Sequence, residues 1–326
     1  MLDLRRLRLL RELAYRGTIA AVAGALSFTP SAVSQQLSIL EREAGVRLLE
    51  RSGRGVVITP AGYVLVRHAE LLLAQLESAA AELASAKGGL AGPVRIGTFA
   101  TAARAIIPAA LIRLAGDHPG LEPMVTEIDP ARVAQALRAG DLDIALIQEY
   151  DLVPPPHEPG LASEPLCSED MYLATAYGPG ARSEPSSRTG PGGADETGAG
   201  GSDTGPGPIA TFLAEPWITA TTGTLCHAMT IRACQNAGFE PRVRHQVDDF
   251  GTVLTLVGAG HGVALVPQLA VTGSPAGVRL TRLPIRRRTM IAFRAGAERH
   301  PAVRAVSDAL CAAVPPELSP GPPCSA

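Results

Sequence analysis

Ser31, Ser34, Gln35 and Ser38 recur at helical spacing through Pro30-Ser31-Ala32-Val33-Ser34-Gln35-Gln36-Leu37. Hydroxyl and amide groups along one helix face carry the donors and acceptors that read base edges in a DNA major groove. The chemistry implied is recognition, with no bond made or broken. Arg51 and Arg54 follow in Arg51-Ser52-Gly53-Arg54-Gly55, the tip of a turn-rich hairpin, where guanidinium groups would neutralise backbone phosphates. Catalytic patterns are weaker. Cys226 and His227 are adjacent, which on a helix points them apart, and no third group completes a nucleophile. Neither His245 nor His261 has a partner at ligand spacing, so no metal and no cofactor are expected. Gly258-Ala259-Gly260-His261-Gly262 leads into a strand and not out of one, the reverse of a phosphate-binding loop. Cys167, Cys226, Cys234, Cys311 and Cys324 form an odd, scattered set without CxxC spacing, which implies neither a disulfide framework nor a zinc site. We expect no enzyme activity.

The recognition residues need a scaffold. Leu7, Leu10, Leu13 and Ala14 give a first helix one apolar face. A small second helix runs from about Thr18 to Leu26. Thr29 suits an N-cap and Pro30 the first position of a third helix, on which Val33, Leu37 and Leu40 form the inward stripe. Residues 1–59 therefore read as a winged helix-turn-helix, with Thr29, Pro30, Ser31, Ser34, Gln35, Ser38, Arg51 and Arg54 as candidate DNA contacts. The formal net charge of −2 argues against nucleic acid, but residues 1–62 hold nine arginines against five carboxylates, a net of +4. The front of the chain is basic and the rest acidic.

A second start signal, Thr59-Pro60, opens a helix that meets no breaker until Gly88-Gly89. Within it Leu65, Ala69, Leu72, Leu76, Ala79 and Leu83 step alternately by four and three, a heptad seam. Residues 60–90 are thus expected to be a dimerising linker helix; burial against its own domain is the alternative.

Residues 91–313 alternate strands with helices, the rhythm of a parallel sheet covered by helices. Strands are expected at 94–97, 121–127, 143–147, 217–220 and 262–266, and helices at 102–114, 130–139, 225–237 and 253–257. Residues 183–208 are almost exclusively Ser, Gly, Pro, Thr and Asp, the composition of a disordered insertion, and the tail 314–326 reads the same way.

Together these motifs resemble the LysR-type transcriptional regulators. The resemblance is carried by Ala20-Ala21, Pro30 to Leu37, Leu40-Glu41, Gly45, Arg51 with Arg54, and Thr59-Pro60-Ala61-Gly62, and continues through Val94-Arg95-Ile96-Gly97, Leu137 to Asp143 and Leu256 to Pro267. Leu49 stands where the family usually has Phe, and Pro30-Ser31 replaces the frequent Gln-Pro. The resemblance implies an α/β effector domain like the periplasmic solute-binding proteins, with lobe I at about 91–161 and 268–313, lobe II at about 162–267, and two crossing segments near 162–168 and 265–270. A small-molecule effector would sit between the lobes at the strand ends. Its candidate contacts are Thr98, Thr101, Asp129, Pro130 and Gln148 from one lobe and Thr219, Thr221, Thr222 and Phe250 from the other. For each threonine, a helix cap or turn is the competing reading. The loop from Thr219 to Thr224 precedes a helix and suits an anion, whereas Asp248 and Asp249 suit a cation or a cap, so the effector's charge stays open.

The family also implies a dimer that pairs into a tetramer, a double-stranded operator of two-fold symmetry, and RNA polymerase as a further contact. Cys226 and Cys234 lie near the positions where peroxide-sensing members carry a redox pair. Eight residues along one helix span about 12 Å, so a disulfide would require local unfolding, and two small buried hydrophobes are the simpler reading. A solute-binding or enzymatic α/β protein with an N-terminal addition is the alternative from another class; the front of the chain, where Leu and Arg alternate, has no uninterrupted apolar stretch that would export it. No apolar run reaches the ~18 residues of a membrane span, and a cytoplasmic protein is expected.

Overall fold

The computed structural model describes residues 1–53, 55–86, 90–155, 158–177, 207–271 and 277–320. Arg54, all but residues 207 and 208 of the expected insertion, and the tail from residue 321 lie outside the described residues.

The head begins with three short helices, α1 (Leu4–Arg16), α2 (Ile19–Ala25) and α3 (Pro30–Ala44), each started by a side-chain cap. Asp3 accepts from the backbone of Arg5, Thr18 from Ala21, and Thr29 from Ala32. Their apolar stripes meet in one core of Leu10, Val22, Val33, Leu37, Leu40 and Leu48. The strands β1 (Leu49–Ser52) and β2 (Gly55–Ile58) form the antiparallel wing, Glu50 opposite Val57. Two side chains tie the wing to the helices. Glu41 accepts from the N–H groups of Leu48 and Leu49 at 2.9 and 3.0 Å, and Thr59 donates to the Arg47 carbonyl while capping the next helix at Gly62. Gly62 is required by crowding: a Cβ there would lie 2.5 Å from the Leu48 carbonyl oxygen.

Helix α4 (Pro60–Ala86) follows, with its start and end where the breakers placed them. Its seam divides in two. Leu65 and Ala69 pack into the head's own core, whereas Leu72, Leu76 and Leu83 are 49%, 50% and 67% exposed.

Lobe I contains β3 (Gly92–Thr98), α5 (Ala100–Ala105), α6 (Ile107–Asp117), β4 (Leu121–Glu127), α7 (Pro130–Ala139), β5 (Ile144–Tyr150) and α10 (Pro301–Ala312). The single helix expected at 102–114 is two, because Pro108 near the start of α6 cannot donate back into the preceding turn. Lobe II contains β7 (Pro216–Thr219), α8 (Leu225–Asn236), β8 (Arg242–Gln246), α9 (Phe250–Gly258) and β9 (Ala264–Pro267).

Two long strands join the lobes, β6 (Leu161–Ala176) and β10 (Val278–Arg294), paired antiparallel from Val278↔Ala176 to Arg294↔Leu161 with a register shift between Arg282 and Arg286. The main sheet is therefore mixed: β3 runs parallel to β4 and β5, and β10 antiparallel to β5 and β6. The first crossing falls where expected. Residues 265–270, where the second crossing is expected, pass from the lobe II core at Leu265 to the lobe I core at Leu269, and β10 spans both lobes as well through its antiparallel pairing with β6.

The tail also departs from expectation. Ser319–Pro320 form a short strand, β11, on β6, and Leu318 is buried in the lobe I core. Low-complexity composition hid this apolar anchor, beside which Val314 packs on the same core. Cys311 on α10 is disulfide-bonded, which the scattered cysteines did not announce, while Cys167, Cys226 and Cys234 are free thiols.

The head docks on lobe I. Arg8 donates to the carbonyl of Arg138 at the end of α7, the Arg138 guanidinium lies 4.0 Å from the centre of the Tyr15 ring, and Arg294 pairs with Glu77 of α4 at 2.9 Å.

Candidate DNA-recognition face and effector cleft

On α3 the inward stripe Val33, Leu37 and Leu40 is buried, which fixes the rotation of the helix. Thr29, Pro30, Ser31, Ser34, Gln35 and Ser38 are consequently all exposed on the opposite side. Thr29 caps the helix and also contacts the Ser31 hydroxyl at 3.1 Å, while Ser38 donates back to the Ser34 carbonyl. The Ser34 hydroxyl and the Gln35 amide therefore present the most adaptable donors and acceptors on this face. Arg51 is exposed at the end of β1; its expected companion Arg54 is outside the described residues.

The head's basic balance is partly spent internally. Arg6 pairs with Glu43, and Arg11 and Arg16 both pair with Glu12, so these three arginines hold the fold together and leave Arg5, Arg42, Arg47 and Arg51 on the outside.

Between the lobes lies a cleft of about 270 Å³, a volume suited to a small molecule. Thr101, Asp129, Pro130, Gln148 and Phe250, nominated from the sequence, line it together. Among the described residues, four others do not reach its wall. Thr98 and Thr219 are buried below, each donating to the next residue's carbonyl, at Phe99 and Ala220. Thr221 holds Asp248 through its N–H at 2.8 Å and its hydroxyl at 2.7 Å, and Thr222 accepts from Gln246. These are the turn and cap roles that compete for threonine at strand ends. Asp129 and Asp249 also cap helices, accepting from Ala131 and Thr252. Hydrogen bonds from the backbone and hydroxyl of Thr252 hold the Asp249 carboxyl below its ordinary pKa.

The floor of the cleft is Arg287, which the sequence reading missed. It is 1% exposed and reaches three partners through four contacts: Nε and Nη2 meet Glu169 at 2.7 Å, Nη1 donates to Gln148 at 3.1 Å, and Nη2 to the Thr101 hydroxyl at 2.9 Å. The Phe99 ring lies 5.2 Å away. Burial opposes the charge on Arg287, but the Glu169 carboxylate beside it keeps the guanidinium protonated, with its pKa above the ordinary value. Glu169 in turn accepts from the Leu269 N–H at 2.7 Å. A periodic signal was available. Arg287 falls in the inward phase of β10 with Leu283, Ile285 and Ile291, and Glu169 falls in the inward phase of β6 with Cys167, Met171 and Leu173. Opposite charges at the inward phase of two strands mark a buried pair.

Lobe II reaches this hub through Cys226. Its Sγ lies 2.8 Å from the Tyr150 hydroxyl and 3.5 Å from Gln148 Nε2. Burial raises the pKa of the Cys226 thiol, with Tyr150 and Arg287 pulling the other way, and burial likewise holds the Tyr150 phenol well above its usual value. Cys234, deeper on α8, is pushed up to about 12 by burial. Among the described residues, no three His, Cys, Asp or Glu side chains come together to hold a metal ion, and no helix is long and apolar enough to cross a membrane.

The head matches the model of the bacterial regulatory helix-turn-helix proteins of the lysR family over residues 4–63, and the lobes match the LysR substrate binding domain over residues 87–188 and 202–314. The chain belongs to the LysR family. It is a LysR-type transcriptional regulator with a two-lobed substrate-binding domain. Similar proteins include a probable hydrogen peroxide-inducible genes activator of Mycobacterium xenopi, 37% identical over 53% of this chain and 88% of that one. The regulator TfdS of Cupriavidus pinatubonensis is 29% identical over 82% of each. Among solved structures, a cysteine mutant of Corynebacterium glutamicum OxyR with hydrogen peroxide bound is 26% identical over 96% of this chain and 92% of that one, with a TM-score of 0.54.

Proposed function

We propose that this LysR-type regulator is switched by a small molecule seated in the cleft between its lobes, with Thr101, Asp129, Pro130, Gln148 and Phe250 at the wall and Arg287 at the floor. The observation that carries the reading is the Arg287 hub. It ties together α5, β5 and β6, and Gln148 extends it to Cys226 of lobe II. A ligand that replaces or strengthens any of these bonds acts on both lobes. Such a ligand shifts the assembly only through unequal affinity for its two arrangements.

DNA is contacted by the exposed face of α3, through Thr29, Pro30, Ser31, Ser34, Gln35 and Ser38, and by Arg51 and Arg54 of the wing. The chain pairs through the exposed seam of α4 into a dimer, and dimers pair into a tetramer, so the operator has two-fold symmetry. The protein works in the cytoplasm and catalyses no reaction. The test is a gel shift of the full-length protein on the DNA upstream of its own gene, repeated with candidate effectors. Phe250→Ala is expected to keep DNA binding and lose the effector response; an unchanged response would remove the effector from the cleft.

One observation favours a second reading, redox sensing. The only free thiol at the cleft wall among the described residues, Cys226, touches Tyr150 within bonding distance, and two of the similar proteins carry names tied to hydrogen peroxide. The same gel shift with hydrogen peroxide separates the readings. A change in the wild type that Cys226→Ser abolishes supports the redox switch.

A further inference from the structure

The floor of the cleft has hydrogen-bond capacity left over, and all of it is donor capacity. The Thr101 hydroxyl accepts from Arg287 and, among the described residues, donates to nothing. Gln148 likewise accepts from Arg287, and its amide N–H groups meet only the Cys226 sulfur, at 3.5 Å. Arg287 itself keeps one Nη1 N–H beyond the one given to Gln148. All three side chains are buried and line the cleft, and because Thr101 and Gln148 are seated on one guanidinium, their spare donors lie together. A buried donor without an acceptor is costly, so this floor is built to receive an acceptor oxygen. The charges of the wall are already matched or negative. Arg287 is paired by Glu169, and Arg104 stands 3.7 Å from Asp249 at the rim. Glu127, Asp129 and Asp248 line the same rim without a cation among the described residues. Between rim and floor the walls are apolar, with Phe99, Ile128, Pro130 and Phe250.

We infer that the effector of this cleft is an uncharged carbonyl compound, its apolar body against Phe99 and Phe250 and its oxygen on the donors of Thr101, Gln148 and Arg287. The inference rests on the reading of the cleft as the effector site and names the chemistry that site selects. A carboxylate of the same shape would satisfy the floor, but its charge would find no unmatched cation and would face three unpaired carboxylates at the rim. An ammonium would bring only donors to a floor of donors. An oxygen seated there also lies beside the contact between Gln148 and Cys226, through which the hub reaches lobe II.

Calorimetric titration of the full-length protein with benzamide, benzoate and benzylamine, probes of similar shape and different charge, tests this. Benzamide is expected to bind at least about tenfold more tightly than either companion. Thr101→Val, which keeps the shape and removes the hydroxyl, is expected to weaken benzamide about tenfold, and Thr101→Ser to restore it. Phe250→Ala is expected to remove benzamide binding. A preference for benzoate or benzylamine that disappears in Phe250→Ala would overturn the inference and leave the cleft reading standing, whereas benzamide binding untouched by Phe250→Ala would overturn both. Equal affinity for the three probes, no binding by any of them, or full affinity in Thr101→Val would each overturn the inference alone; the ranking of the probes on the wild type decides the matter if Thr101→Val does not fold.

Discussion

The recognition face and the effector cleft are built by opposite means. The face is one helix: a cap, a proline and an inward stripe set its rotation, and the residues on its exposed side follow from residue numbers alone. The cleft gathers Thr101, Asp129, Gln148, Cys226, Phe250 and Arg287 from six separate elements. A local site tolerates change one residue at a time, because each side chain points to solvent and owes little to its neighbours. A site assembled across two strands and two lobes does not, because its central charge is buried and every partner depends on it.

The largest expected effect breaks the cleft at its centre. Arg287→Met leaves Glu169, buried and charged, without its partner, and should cost about 3–5 kcal/mol in urea unfolding. Arg287→Met combined with Glu169→Leu should recover most of that loss without recovering an effector response. If the single variant is as stable as the wild type, the hub does not hold the lobes. Next in size, Gln35→Ala should leave the fold intact but remove about 1–3 kcal/mol of discrimination between the operator and a mismatched site. Competition gel shifts that keep the full preference would show that α3 does not read bases at this position.

A smaller effect is expected from Arg51→Ala. It should weaken binding to all sequences alike and lower the slope of log affinity against log salt by about one. An altered sequence preference would mean that the wing reads bases and does not merely hold phosphate. The smallest effect concerns Cys226. Because burial raises its pKa above the ordinary thiol value of 9.0, the group is protonated at neutral pH. Alkylation by iodoacetamide should therefore be slow at neutral pH and accelerate only as the pH climbs past 9.0. Fast alkylation at neutral pH would restore weight to the redox reading.

Legibility followed the same division. Thr29, Pro30 and the Val33-Leu37-Leu40 stripe defined the head because capping and helical period are local effects. Five of the nine effector candidates, Thr101, Asp129, Pro130, Gln148 and Phe250, line the cleft, since strand ends and helix starts converge there. Thr221 and Thr222 were drawn off by Asp248 and Gln246, and no spacing along the chain distinguishes a threonine that faces a ligand from one that ties a turn. Arg287 sat within Arg286-Arg287-Arg288, where a charge run reads as a solvated surface until the strand phase is known.

The sequence by itself determined the winged head, the linker helix with its two boundaries, and the α/β character of the lobes, all of which follow from period, caps and breakers within a short stretch of chain. Only the tertiary structure decided which strands cross between the lobes, that Leu318 anchors the tail, and that Arg287 and Glu169 form the floor of the cleft. Those outcomes depend on pairing β6 with β10 and with β11 across more than a hundred residues. The energy of a buried ion pair exists only once that pairing has brought the two charges together and removed the water between them.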